Sequence, residues 1–278
     1  METKIFNKDI YLSRMSKPLQ EKLRVVKYIP KWAKQVLDVG CADGTLTCAL
    51  AKLFPDVRFL GIDLDEEFII KARERAIGEN LSNVSFEKVY LRDILSRSEK
   101  FDTVIFVSVL HEFFTYGEGI SSVLKALADA HELLNPGGEI VIRDMILSEY
   151  TKDTSFQSDV INEKIFSVKK LLPMVEDFEK KFKPIKRIYE INHFLLKYMY
   201  EENWDRESKE HYVPVTFDEY EKIFDLLGME LQLKDSYLIS FLKEKWRDDF
   251  GLTDDEMVSL KSTGFIVAKK IDSNHKLV

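Results

Sequence analysis

The order of apolar runs predicts an α/β fold: a doubly wound, seven-stranded, mostly parallel sheet with a largely helical insertion after strand five. Three observations carry this. Between Gln35 and Asp144, five short β-branched or apolar runs alternate with amphipathic stretches, and parallel strands require such crossovers. The alternation stops after Asp144. It resumes at Thr216, where two more strand-like runs follow.

Taken in order, Pro18–Trp32 carries Leu19, Leu23, Val26 and Ile29 at helical spacing, with Pro18 suited to a first turn. Gln35–Val39 is a β-branched run ending at Gly40, and Thr45–Leu53 is helical and stops before Pro55. Arg58–Ile62 and Val84–Val89 read as strands two and three, separated by a helix Glu66–Ile77 that Gly78 closes. Phe101–Val107 is strand four. A helix Ser121–Leu134 then ends at the turn Asn135-Pro136-Gly137-Gly138, and Glu139–Asp144 is strand five. Aromatic helical stretches such as Ile191–Tyr200 follow, interrupted by Pro173 and Pro184. Thr216-Phe217-Asp218-Glu219 is a capping-box signature opening a helix that ends at Gly228, and Glu230–Ile239 and Thr263–Lys269 are the last strands. The expected organisation is a helical lead-in over 1–34, a ligand-binding domain over 35–148 and 214–272, and a lid over 149–213.

Composition bounds the function. The chain has 278 residues, 45% hydrophobic and 32% charged, which suits a globular core. No apolar run approaches the ~18 residues of a membrane span, and Met1–Arg14 lacks a hydrophobic signal core, so a cytoplasmic protein without a membrane partner is expected. Cys41 and Cys48 offer neither a disulfide framework nor zinc spacing. A formal net charge of −7 argues against a large nucleic-acid footprint.

The most informative stretch is Val36-Leu37-Asp38-Val39-Gly40-Cys41-Ala42-Asp43-Gly44-Thr45, a strand entering a glycine turn before a helix. A dinucleotide loop wants G-x-G-x-x-G so that bare backbone meets the pyrophosphate. Here Ala42 and Thr45 hold the second and third glycine positions, and Asp38 and Asp43 would repel a diphosphate. S-adenosylmethionine carries an ammonium and a sulfonium and no phosphate, so acids at the strand end favour it. Asp63, ending Gly61-Ile62-Asp63, can accept both hydroxyls of a ribose. Asp93, within Arg92-Asp93-Ile94 after strand three, can meet an adenine amino group.

On these residues, together with Phe101-Asp102 and Leu134-Asn135-Pro136-Gly137-Gly138, the chain resembles the class I (Rossmann-like) S-adenosylmethionine-dependent methyltransferases. The resemblance implies that Asp38 and Gly40, with Cys41 and Gly44 in the same turn, hold the methionine end and that Asp63 holds the ribose. It implies that Leu64, Arg92, Asp93 and Ile94 frame the adenine and that Ser108 lines the methionine pocket through its backbone. Ala42 departs from the family, which more often has glycine there.

The acceptor side begins at Ser108-Val109-Leu110-His111-Glu112. It lacks the Asp/Asn-Pro-Pro-aromatic signature of adenine amino-methyltransferases and any cysteine after strand four. His111 can serve as a general base or as a pocket-lining group, and Glu112 as a partner or a favourable first-turn acid. In the insertion His193, Tyr198 and Trp204 mix rings with hydrogen-bonding groups, as pockets do; they equally suit the core of a lid. Tyr11 and Arg14 are placed to fold over the cofactor. The basic run Lys180–Arg187 suits either a solvated face or an RNA backbone. No metal is required, because no His/Asp/Glu group shows metal-site spacing. Three functions stay open: a methyltransferase for a small molecule, an RNA methyltransferase, and a non-catalytic S-adenosylmethionine-binding module. The aromatic insertion serves equally as a lid or as a homodimer contact.

Overall fold

The computed structural model describes residues 19–146 and 159–271. Seven strands form one sheet: β1 (Gln35–Val39), β2 (Arg58–Asp63), β3 (Val84–Lys88), β4 (Phe101–Val107), β5 (Leu134–Asp144), β6 (Met229–Tyr237) and β7 (Thr263–Lys270). Their spatial order is β3-β2-β1-β4-β5-β7-β6. The first five are parallel, whereas β7 runs antiparallel to both β5 and β6. The central strands are apolar throughout because helices cover both faces. Ile140 and Ile142 point into one core with Leu110, Leu127 and Phe217, while Val141 points into another with Val25, Leu50 and Phe265.

The lead-in departs from the expected continuous helix. Among its described residues α1 (Leu19–Lys22) is α-helical, and Leu23–Tyr28 tightens to a 3-10 helix. Pro30 is the physical reason for the stop: the residue before a proline is pushed out of the helical region, and Ile29 is extended at φ −86°, ψ 116°. The expected turn at Asn135–Gly138 lies inside β5 instead. Register there jumps from Phe101↔Leu134 to Thr103↔Glu139, and Gly137 takes φ +75°. Asp102 pins the entrance of the sheet, accepting from the backbone N–H groups of Lys34 (2.7 Å) and Gln35 (3.0 Å) and from Asn135 Nδ2 (2.8 Å).

Helices α2 (Thr45–Leu53), α3 (Glu66–Gly78), α4 (Leu91–Ile94), α5 (Leu110–Tyr116) and α6 (Ile120–Leu133) connect the parallel strands. Among the described residues of the insertion, four α-helices appear: α7 (Asp159–Ser167), α8 (Leu172–Lys181), α9 (Ile188–Lys197) and α10 (Trp204–Glu207). The capping box then opens α11 (Phe217–Leu226), with both reciprocal bonds between Thr216 and Glu219 formed. The β6–β7 connection carries α12 (Ser240–Phe250).

The insertion and the β6–β7 connection share one hydrophobic core. Ile161, Phe178, Ile191 and Phe194 pack with Leu242, Trp246, Phe250 and Leu260. Polar ties stitch the same seam: Trp246 Nε1 donates to Leu195 O (3.2 Å), Tyr198 to Asp249 (2.6 Å), and Lys164 to Glu256 (2.8 Å). The two connections thus form a single helical cap. Trp246 is fully buried at the centre of that seam, so Trp246→Ala should cost about 3–5 kcal/mol, measured as a lowered urea midpoint; a loss within ~0.5 kcal/mol would show that the cap does not depend on it.

Candidate active site

The β1–α2 turn builds the first half of the site. Gly40 and Gly44 take φ of +75° and +70°, conformations that side chains resist. A Cβ at Gly40 would also lie 2.5 Å from Val109 Cγ2, so the turn packs directly on the β4 loop. Ala42 shares the left-handed backbone at φ +47°, which gives a physical reason for glycine to be favoured there. Its N–H donates to Asp63 Oδ2 (2.9 Å), while Asp65 N donates to Asp63 Oδ1 (3.0 Å). The Asp63 carboxylate is thereby oriented at the end of β2, and each oxygen retains acceptor capacity. Asp38 is buried, and Thr47 donates to its Oδ2 at 2.6 Å. Burial raises the Asp38 carboxyl to about 6, against the Thr47 bond and the Lys22 charge. Asp43 instead serves the start of α2: it accepts from Thr45 Oγ1 (2.7 Å) and pairs with Arg75 (2.6 Å).

Leu19 and Lys22 join Asp38, Gly40 and Cys41 in lining a narrow crevice of about 30 Å³ at this turn. Lys22 also belongs to the wall of a cavity of about 600 Å³, which reaches past Ser108, His111 and Arg143 to Tyr200, Glu207 and Tyr212 of the cap.

His111 stands at the floor of that cavity. Its Nδ1 lies 2.8 Å from Asp144 Oδ1, and Asp144 Oδ2 accepts from the His111 backbone N–H at 3.2 Å. The Nε2 side faces Glu210 Oε2 at 3.8 Å, and the Tyr212 ring meets the imidazole edge-on at 5.5 Å. Burial by itself would push this imidazole down, but the Asp144 carboxylate, with Glu210 and Glu112, carries it up to about 9. Glu112 is raised to about 7 by burial and by Glu210, and Glu207 is raised to about 7 for the same reasons. Arg206 bridges the acids, lying 3.0 Å from both Glu112 and Glu210. Tyr116 adds a 2.6 Å bond to Glu210, and Tyr212 donates to Glu207.

The tertiary structure redistributes the expected residues. Asp38, Gly40 and Cys41 line the crevice, and Gly44 caps α2 behind it. Ser108 is at φ +55° on the cavity wall. Asp93 and Leu64 are exposed, and Arg92 lies in solvent 3.8 Å from Asp129. Ile94 is fully buried in the sheet core and offers no face to a ring. His193 and Tyr198 are corrected to the core of the cap. His193 accepts from Tyr212 N (3.1 Å) amid Phe178 and Phe182, and Tyr198 is tied to Asp249. Trp204 is held by Asp177 (2.9 Å) and packs on Phe194. None of these three lines the cavity; their neighbours Leu196, Met199, Tyr200, Glu207 and Tyr212 do. Tyr11 and Arg14 lie outside the described residues. Donor atoms of His111, Glu112 and Glu210 all fall within 4.8 Å of one another. Arg206 supplies positive charge there.

Sequence reasoning missed Asp144, Arg143, Lys22, Glu207 and Glu210. Only the first two carried a signal, since they end a parallel strand where ligands gather.

The His111–Asp144 pair has a measurable consequence. The folded midpoint lies above the ~6.5 of an unfolded histidine, so its stabilising contribution is complete below that value and is lost as pH rises through about 9. By nuclear magnetic resonance the His111 ring should titrate near 9, and Asp144→Asn should lower the midpoint. The urea-midpoint gap between wild type and His111→Gln should shrink over the same window. A ring titrating at ~6.5 in the wild type would contradict the pairing.

Comparison with known proteins gives three findings. Residues 30–204 match the family model described as a methyltransferase domain. A tRNA (guanine-N(7)-)-methyltransferase of Chloroflexus aurantiacus is 42% identical over 65 residues, covering 23% of this chain and 29% of that one, so the chain spans less than a third of that relative. The fold superposes on an O-methyltransferase family protein from Burkholderia thailandensis (TM-score 0.57, 14% identity, 95% of this chain and 60% of that one). It also superposes on a SAM dependent methyltransferase from Archaeoglobus fulgidus (TM-score 0.55, 15% identity, 92% and 94%). At these identities the structural likeness is one of fold. Among the described residues no helix is long and apolar enough to cross a membrane.

Proposed function

This chain belongs to the methyltransferase-domain family, and from that premise we propose that it transfers a methyl group from S-adenosylmethionine to a hydroxyl or amine of a small molecule seated in the 600 Å³ cavity. The observation that carries the reading is the His111–Asp144 pair on the floor of that cavity, close to the β1 turn.

The residues present fit S-adenosylmethionine in chemistry. The donor set at the crevice is carboxylate and backbone, with Asp38 at its floor and Asp63 beside it, which suits a cationic, hydroxylated nucleoside and repels a diphosphate. Asp63 would take the ribose hydroxyls, and Gly40 and Ser108 would present backbone to the methionine end. The cofactor supplies an activated methyl group and its leaving group. The protein's contribution is orientation and exclusion of water. His111 Nε2 takes the acceptor proton while Asp144 holds Nδ1–H and fixes the tautomer. A base held near 9 suits an acceptor as weakly acidic as a phenol.

The tRNA-methyltransferase likeness favours an RNA acceptor as the second reading. Against it, the basic run is partly neutralised within the cap: Lys181 pairs with Asp177 and bonds Ser208, and Arg187 pairs with Glu190.

Calorimetry with S-adenosylhomocysteine should give one-site binding that Asp63→Ala weakens by ~tenfold or more through loss of a charge-assisted bond; absence of binding would remove the donor assignment. With an acceptor found by screening for S-adenosylhomocysteine release, His111→Ala should keep cofactor affinity and slow turnover ~10²–10⁴-fold. The wild-type rate should climb with pH toward 9, and the variant should lose that limb. Undiminished turnover in the variant would exclude the base role. Tight binding of tRNA with a log–log salt slope of several units would move the acceptor to the second reading.

A further inference from the structure

The mechanism above leaves two cations without a role. Arg143, next to the end of β5, is buried with 6% of its surface accessible, yet it lines the large cavity. Its Nη1 donates to Ser108 Oγ (2.9 Å) and its Nη2 reaches Thr263 Oγ1 (3.4 Å), both neutral hydroxyls. Its Nε has no hydrogen-bond partner among the described residues. The Tyr237 hydroxyl is a further hydrogen-bond partner, and the carboxylates of Asp144 and Glu21 act on the guanidinium through space, but both acids are engaged elsewhere. Asp144 serves His111, and Glu21 accepts from Arg24 (3.4 Å) and Tyr237 (3.1 Å).

Lys22 faces the same space from α1 and is part of both the crevice and the cavity wall. Among the described residues it forms no ion pair within 4.0 Å. Burial lowers its ammonium to about 8, and the Arg143 charge adds to that, against Asp38, Asp43 and Asp144. Two like charges that weaken each other, one of them buried with an idle N–H, are unfavourable unless an anion arrives between them. A guanidinium also presents a planar fork that matches a carboxylate with two parallel bonds.

We propose that Lys22 and Arg143 form a carboxylate-binding subsite at the junction of the β1 crevice and the large cavity. It takes the acid group of a ligand laid across that junction. Two ligands bring the same chemistry: the α-carboxylate of the methyl donor and an acid group on the acceptor. The inference rests on the donor assignment above, and the experiment separates the two.

The test compares S-adenosylhomocysteine with its decarboxylated analogue by calorimetry on the wild type, Lys22→Met and Arg143→Met. If the donor supplies the carboxylate, the wild type should bind the decarboxylated analogue ~tenfold or more weakly, as expected for losing a charge-assisted bond. Either substitution should shrink that gap. If the acceptor supplies it, the gap should be absent in every form. Benzoate should then bind the S-adenosylhomocysteine-saturated wild type and fail with both variants. Arg143→Met should melt no lower than the wild type, since it removes a buried charge that forms no close ion pair. Should it unfold, Lys22→Met, at the end of a single helical turn, carries the comparison. Equal affinity of all three proteins for both nucleosides, together with benzoate binding unaffected by either substitution, would overturn the subsite. If S-adenosylhomocysteine bound none of the proteins, the donor assignment would fall by itself, and benzoate binding to the free wild type against the variants would still decide the subsite.

Discussion

Strands that run the same way must each be returned by a crossover, and right-handed crossovers bring the loops after β1, β2, β4 and β5 to one edge of the sheet. The site depends on that constraint. It sets the Gly40 turn against Val109, the Asp63 carboxylate against the Ala42 N–H, and Ser108 beside Arg143. None of these pairs is close in sequence. The reversed β7 extends the constraint, because the β6–β7 hairpin sends α12 over the same edge, where it meets the insertion in one core. The rim of the sheet is therefore roofed by a layer with its own hydrophobic centre, and the space between roof and rim is the cavity.

Roofing the rim takes charged groups out of water, and the protein manages this by pairing across elements. Asp144 from β5 holds His111 from α5, and Arg206 from the cap joins Glu112 to Glu210. Burial pushes His111 down and Glu112 up, while Asp144 and Arg206 act in the opposite directions, so the protonation of one depends on the positions of the others. The same logic makes Lys22 and Arg143 informative, since among the described residues these two cavity cations form no ion pair within 4.0 Å. Lys197 shows another solution. It is fully buried in the cap, bonded to the Glu210 carbonyl and placed over the Phe182 ring at 4.4 Å. Burial lowers its ammonium to about 7, which eases the cost of keeping it there.

Local signals were legible where local physics decides. The Gly40 and Gly44 turn, the capping box at Thr216 and the apolar runs of β1 and β4 each depend on backbone conformation or on period, which a few consecutive residues reveal. Where a residue's surroundings come from distant segments, pattern reading faltered. His193 and Tyr198 have the composition of a pocket, yet α9 turns them into the core of the cap while Leu196, Met199 and Tyr200 on the same stretch face the cavity. Ile94 follows the third strand as expected but packs inward. The lead-in broke at Ile29 because the effect of Pro30 on its predecessor outweighed the helical spacing.

The sequence by itself determined the class of fold, the order of its elements, the family it belongs to and the acidic strand-end turn that disfavours a diphosphate. Those follow from periodicity and from residues within a few positions of one another. Only the tertiary structure decided which acids meet His111, that Glu210 joins Glu112 beside it, and that Arg143 and Lys22 face one cavity without a close ion pair among the described residues. Electrostatic partnership acts through space over a few ångströms, whereas these groups lie far apart along the chain.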